Sequence, residues 1–122
     1  MIAIGSDHGG FELKGHIIEH LKEKGIEVKD FGTYSEASVD YPDCAKPVCK
    51  AVLDGECECG ILICGTGIGI SMAANKFKGI RAALCGDVFS AKMSKEHNNA
   101  NVICMGGRVL GRELANMIVD TY

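Results

Sequence analysis

Apolar residues follow two alternating rhythms along this chain. Short unbroken runs such as "MIAIG" (1–5), "GILIC" (60–64) and "NVICMGG" (101–107) predict buried strands. Between them the apolar positions spread to a helical spacing. "FELKGHIIEHLKEKG" (11–25) places Phe11, Ile17, Ile18 and Leu21 on one stripe, with lysine and glutamate on the other face, and Gly25 is a natural C-terminal stop. "IEVKDFG" (26–32) reads as a second strand. A polar loop, "TYSEASVDYPD" (33–43), then leads to a helix with Ala45, Val48, Cys49 and Val52 on one side. Pro47 fits that helix only if it starts near Asp43, because a proline deep inside would break it, and Gly55 ends it. A helix after Gly67 carries Ile68, Met72 and Ala73. "GIRAALC" (79–85) is the fourth strand, Asp87 caps the helix "VFSAKMSKE", and "LGRELANMIVDTY" (110–122) closes the chain with Leu110, Leu114, Met117 and Ile118 inward.

Five strands alternating with five helices predict an α/β fold with a parallel sheet covered on both faces. With 122 residues and no linker, repeat or low-complexity segment, residues 1–122 are expected to form one domain. In such sheets ligands bind beyond the carboxyl ends of the strands. Three of those ends carry glycine turns: "GSDHGG" (5–10), "CGTGIG" (64–69) and "MGGR" (105–108). The function is expected there.

Composition narrows the classes. The hydrophobic share of 47% and charged share of 24% are those of an ordinary globule. A net charge of −3 argues against general nucleic-acid binding. No apolar run approaches a membrane span, and "MIAIGSD" has no leader character. Seven cysteines, an odd number with several in apolar runs (Cys64, Cys85, Cys104), read as reduced thiols of a cytoplasmic protein. Cys57 and Cys59 have no matching second pair, so no metal site is expected.

Glycines 65, 67 and 69 bring backbone N–H groups close to a ligand, and the helix that follows adds its positive end, which together favour an anion. The spacing is G-x-G-x-G, neither a P-loop nor the G-x-G-x-x-G of a dinucleotide fold. Asp7 in the first loop would repel a pyrophosphate, although Asp30 at the end of the second strand sits where a ribose-binding acid belongs, which keeps a dinucleotide binder as a rival. Cys64 stands just ahead of the loop, where amide donors favour a thiolate; its plainer reading is a small buried residue ending a strand. Asp7 has a plain reading too, as a cap. His16 and His20, four apart on the first helix, fit a solvated face better than a metal site. His97, in "KEHNNANV", is expected at the edge of the sheet opposite Cys64, so a catalytic His97 would serve a neighbouring subunit.

"SDHGGFELK" (6–14), "FGTYS" (31–35), "DYPDCA" (40–45), "ICGTGIGISMAANKFKGIRAA" (63–83), "HNNANV" (97–102) and "GGRVLG" (106–111) together resemble the type B ribose-5-phosphate isomerases, in order along nearly the whole chain. The resemblance implies a three-layer α/β/α Rossmann-like fold, a five-stranded parallel sheet of order 2-1-3-5-4, homodimers or homotetramers with sites between subunits, and no metal or organic cofactor. The implied reaction interconverts ribose 5-phosphate and ribulose 5-phosphate through a cis-enediolate, in the pentose phosphate pathway. By motif, Cys64 corresponds to the base and His97 to the residue that opens the furanose ring. Asp7 corresponds to the contact for the ring oxygen or hydroxyls. Thr66, Asn98 and Tyr41 match sugar or enediolate contacts, with Gly65, Gly67 and Gly69 around the oxyanion, and His8 and Arg108 match phosphate ligands. Arg81 and Arg112 read as surface or intersubunit pairs. Members of that family usually continue past the last helix into a basic tail that adds arginines to the phosphate; this sequence ends at Tyr122, so the expectation is a higher KM than for a form with the tail.

Two rivals follow. A galactose-6-phosphate isomerase shares the chemistry, but those proteins divide the motifs between unlike subunits, whereas Asp7, His8, Cys64, His97 and Asn98 coexist here. A non-catalytic phosphosugar or dinucleotide binder would need neither the thiol nor a histidine in trans. Side activity on allose 6-phosphate is compatible with the same site.

Overall fold

The computed structural model describes residues 1–34, 37 and 39–122. Ser35, Glu36 and Ser38 fall outside it, and with them part of the 33–43 loop and the last residue of the "FGTYS" motif. Strands β1 (Ile2–Ser6), β2 (Val28–Asp30), β3 (Cys59–Cys64), β4 (Ala82–Leu84) and β5 (Val102–Gly106) alternate with helices α1 (Phe11–Glu23), α2 (Tyr41–Leu53), α3 (Ile68–Ala74), α4 (Val88–Glu96) and α5 (Arg112–Thr121). A short 3-10 turn (His8–Gly10) precedes α1. All strand pairs are parallel, in the order β2-β1-β3-β5-β4. The expected fold and strand order are both present.

Side chains alternate across the sheet into two cores. Ala3, Leu62, Cys64, Val102 and Cys104 face α2 and α3, meeting Val48, Cys49 and Ile70. Ile4, Ile61, Ile63, Ile103 and Met105 face α1, α4 and α5, meeting Ile17, Leu21, Ala91 and Ile118. The central strand β3 is buried on both faces, with Ile61, Leu62 and Ile63 at most 1% exposed.

Several details depart from the sequence reading. β2 and β4 have three residues each, shorter than 26–32 and 79–85, because as edge strands they find a partner on one side only. Helix α2 starts at Tyr41, with Pro42 in its first turn and Pro47 seven residues in. Pro47 removes the bond that the Asp43 carbonyl would accept, and its ring sits between positions buried against β1 and β3. In α5 the buried residues are Ala115, Ile118 and Val119, whereas Met117 is exposed. In α3, Ile68 and Met72 are exposed while Ile70, Ala73 and Ala74 turn inward. Lys14, assigned to the solvated face of α1, is 2% exposed. Asp87 caps α4 as expected, accepting from Ser90 N at 2.6 Å. That geometry holds its carboxyl below the usual carboxylate range, through the Ser90 backbone N–H and then the Ser90 hydroxyl.

Candidate active site

The three glycine turns interlock at the carboxyl ends of β1, β3 and β5. Asp7 N–H donates to Ile63 O at 3.1 Å, Gly107 N–H to Cys64 O at 2.8 Å and Arg108 N–H to Gly65 O at 3.0 Å. The packing leaves no room for side chains. A Cβ on Gly107 would lie 2.6 Å from Gly9 O, and one on Gly10 would lie 2.6 Å from Ile63 O. Glycine here is a requirement of close backbone approach rather than of flexibility.

Cys64 ends β3 and is 5% exposed. Its Sγ accepts the Gly67 N–H at 3.1 Å. Gly67 reaches that position in the left-handed region, at φ +84, as the N-cap of α3. Thr66 Oγ1 accepts from Ile68 N at 3.2 Å, so the loop satisfies part of its own helix start. The donors of the loop are thus divided: that of Gly67 meets sulfur and that of Ile68 meets the Thr66 hydroxyl. Burial pushes the thiol of Cys49 up to about 11 and that of Cys104 higher still. Burial is likewise the first cause that raises Cys44, Cys57, Cys59 and Cys85.

Several of the other expected residues stand at the same strand ends. Asp7 is 7% exposed and caps the 3-10 turn, its Oδ1 accepting from Gly9 N at 2.8 Å and Gly10 N at 3.2 Å. The capping role and a place at the strand ends therefore coexist. His8 Nδ1 accepts from Val39 N at 3.2 Å, which leaves Nε2 as the donor. The Arg108 side chain passes over Gly65, its Cδ 3.5 Å and its Nη1 3.6 Å from where a Cβ would be. The Tyr41 ring lies on Gly69, whose Cβ position is 2.9 Å from Tyr41 Cζ. One chain thus brings Asp7, His8, Tyr41, Cys64, Gly65, Thr66, Gly67, Gly69 and Arg108 to one edge.

His97 and Asn98 are not among them. His97 caps the C-terminus of α4, and the turn that follows leads into the start of β5. Gly60 pairs with Val102 and Cys64 with Gly106, so the whole length of the sheet, about 13 Å, separates the two ends. Arg81 holds this turn from within the chain, its Nε donating to Asn99 O at 2.7 Å and its backbone N–H to Asn101 Oδ1 at 2.8 Å. His20 meets Asp120 at 2.8 Å. No cluster of three or more metal-ligating side chains occurs among the described residues.

Asp30, the residue that would hold a ribose in a dinucleotide fold, is engaged by Lys14 Nζ at 2.8 and 3.0 Å. Sequence reasoning missed Lys14. Its signal was the spacing 14, 17, 18 and 21, which puts it on the buried stripe of α1 beside Ile17 and Leu21.

The strand order and the interlocked turns define a doubly wound α/β protein whose candidate site lies beyond the strand ends, beside a thiol and a glycine loop. The chain belongs to the ribose/galactose isomerase family, whose profile matches residues 2–122. It is 56% identical over 121 residues to ribose-5-phosphate isomerase B of Escherichia coli, covering 99% of this chain and 81% of that protein. It is 48% identical to galactose-6-phosphate isomerase subunit LacB of Clostridium acetobutylicum, over 100% of this chain and 70% of that one. The solved structure of Clostridium thermocellum ribose-5-phosphate isomerase B superposes with a TM-score of 0.97 at 58% identity, covering 98% of this chain and 81% of the other. That from Thermotoga maritima gives 0.97 at 57% identity, with coverage of 98% and 83%. No described helix is long and apolar enough to cross a membrane.

Proposed function

We propose that this chain is a ribose-5-phosphate isomerase, acting through residues 1–122 as one domain, with Cys64 as the proton carrier. The observation that carries the assignment of the base is the Gly67 N–H aimed at Cys64 Sγ, 3.1 Å away at the start of α3. It puts an amide donor where negative charge would develop on sulfur, at the strand end where β3 hands over to the glycine loop. The thiolate takes the proton from C2 of the open-chain aldose. The electron pair forms the C1=C2 bond, and the C1 carbonyl oxygen becomes the oxyanion. The O2 proton passes to O1, and the thiol returns its proton to C1 as the C2 carbonyl forms. The charge on the enediolate oxygen gathers beside the Gly65–Gly69 loop and Thr66, where one well-aimed donor is worth about 3 kcal/mol.

The phosphate lies against Arg108, whose guanidinium offers a fork of donors, and against His8 Nε2. Asp7 meets the ring oxygen or hydroxyls of the closed sugar, and Tyr41 on Gly69 walls the cleft. Ring opening needs an acid and base near neutrality, which suits histidine. Because His97 and Asn98 lie at the far edge of their own sheet, the reading requires a homodimer or higher assembly in which His97 of the partner subunit enters the cleft. The seven free cysteines fit a reducing cytoplasm. No cofactor takes part in these steps.

The test offers ribose 5-phosphate, allose 6-phosphate and galactose 6-phosphate to the protein in deuterated water. Ketose formation from the ribose ester, with solvent deuterium entering C1, supports the reading. Binding without turnover would make the protein a phosphosugar sensor, and preference for the galactose ester would move it to the other branch of the family.

A further inference from the structure

The structure assigns Lys14 a positioning role: its buried ammonium, bonded to Asp30 and to the Thr33 carbonyl, fixes the segment 31–34 that clasps the end of β1, and so aims Asp7 at the sugar. The inference rests on the reading of Asp7 given above. Lys14 touches no reacting atom; it acts through the chain that follows.

The ammonium donates to Asp30 Oδ1 at 2.8 Å, to Oδ2 at 3.0 Å and to the carbonyl of Thr33. Three donors thus have three acceptors. The rings of Phe11 and Tyr34 flank it at 5.5 and 5.3 Å from their centroids. Asp30 Oδ1 also accepts Gly32 N–H at 2.9 Å, and the Asp30 carbonyl accepts the Tyr34 hydroxyl at 3.1 Å. The segment held this way is bonded in turn to β1. Phe31 N–H donates to Ile4 O at 2.8 Å, Ser6 N–H to Gly32 O at 2.7 Å and Thr33 N–H to Ser6 O at 2.8 Å. Ser6 is the residue before Asp7. The charges of Lys14 and Asp7 also converge on one neighbour: burial first, then Asp7 and Asp43, push the Cys44 thiol up, while Lys14 opposes them.

A lysine 2% exposed is a poor choice for stability alone. Packed apolar side chains commonly match or exceed an ion pair that is out of water on the lysine side, as here, where Asp30 is 32% exposed. The geometry fixed here ends at a carboxylate that must meet substrate, and misplacing such a group by an ångström costs about 100-fold in rate.

The experiment is a double-mutant cycle, because a merely structural role would not couple selectively to Asp7. Lys14→Met and Asp7→Asn are made singly and together, beside Arg108→Lys alone and with Lys14→Met, with kcat, KM and thermal unfolding measured for each. Lys14→Met is expected to lower kcat about 10- to 100-fold with KM changed less than about threefold. In the Asp7→Asn background it should add less than about twofold, and in the Arg108→Lys background it should multiply in full. A folded Lys14→Met protein with normal kcat overturns the inference, as does full multiplication onto Asp7→Asn while Asp7→Asn is itself impaired. An unimpaired Asp7→Asn removes both the Asp7 assignment and this one. If Lys14→Met does not fold, Asp30→Asn takes its place in the same cycle: it removes the anion and keeps the shape, and additivity with Asp7→Asn again overturns the proposal.

Discussion

At Gly107, one hydrogen atom separates a packed site from a broken one. A methyl group there would meet the Gly9 carbonyl oxygen at 2.6 Å and Gly10 Cα at 2.9 Å, both backbone atoms with nowhere to go. Gly107→Ala is therefore expected to cost about 1–3 kcal/mol in urea unfolding and to lower kcat, since it pushes apart two loops of the cleft. Gly15 provides the opposite case. It lies inside α1 with nothing within 4 Å of its Cβ position, so Gly15→Ala should raise stability by about 0.5–1 kcal/mol through helix propensity and leave kcat unchanged. Unchanged stability in the first or a loss in the second would contradict this account of the glycines. Sequence alone marked the G-x-G-x-G loop as special. It did not show that the three turns touch, because contact between residues 9, 65 and 107 arises only when β1, β3 and β5 lie side by side.

Between elements, α1 and α5 are joined by a small charge network, in which Asp120 Oδ1 meets both His20 Nε2 and Lys24 Nζ at 2.8 Å. Burial acts to raise the Asp120 carboxyl, but the bonds from Lys24 and His20 outweigh it and hold the group below the usual carboxylate range. A carboxyl lowered on folding adds stability that is present above its unfolded pKa, near 3.9, and is lost as the pH falls through the lower folded value. Asp120→Asn should therefore cost up to about 1 kcal/mol at pH 6, a modest sum for a partly exposed pair, and the difference from wild type should vanish toward pH 2 in thermal melts. The adjacent apolar contacts matter more. Ile118→Ala should cost about 2–5 kcal/mol, whereas exposed Met117 tolerates alanine. Every strand and helix was legible as an element, because the apolar runs and 3.6-residue stripes are strong. The inward faces of α3 and α5 were legible in part: Ala73 and Ile118 are buried and Leu110 and Leu114 pack against the core, but Met72 and Met117 are apolar yet exposed, a difference that apolar pattern does not carry. Lys14 was obscured for the converse reason: only the folded chain supplies the Asp30 carboxylate and Thr33 carbonyl that make a buried ammonium tolerable.

For the whole molecule, the decisive fact is that the cleft and His97 occupy opposite edges of one sheet. The strand order and crossover logic were sufficient to expect this from sequence, because α4 must run back before β5 begins. The surface through which two copies would meet is a property of the folded exterior, which the apolar pattern does not mark. A site shared between chains has a clear signature: a Cys64→Ala protein and a His97→Asn protein, each nearly inactive, should regain about a quarter of wild-type activity when unfolded together and refolded as a one-to-one mixture. No recovery in a mixture shown to exchange subunits would mean that His97 does not serve the partner's cleft.

The proposed isomerisation depends on proton transfer at Cys64, and the most direct test is the rate at which a Cys64→Ala variant exchanges solvent deuterium into C1 of ribulose 5-phosphate. A protein with an unchanged circular dichroism spectrum and exchange reduced by at least about 100-fold is the expected result. Exchange within a few-fold of wild type would contradict it and assign the base to another residue.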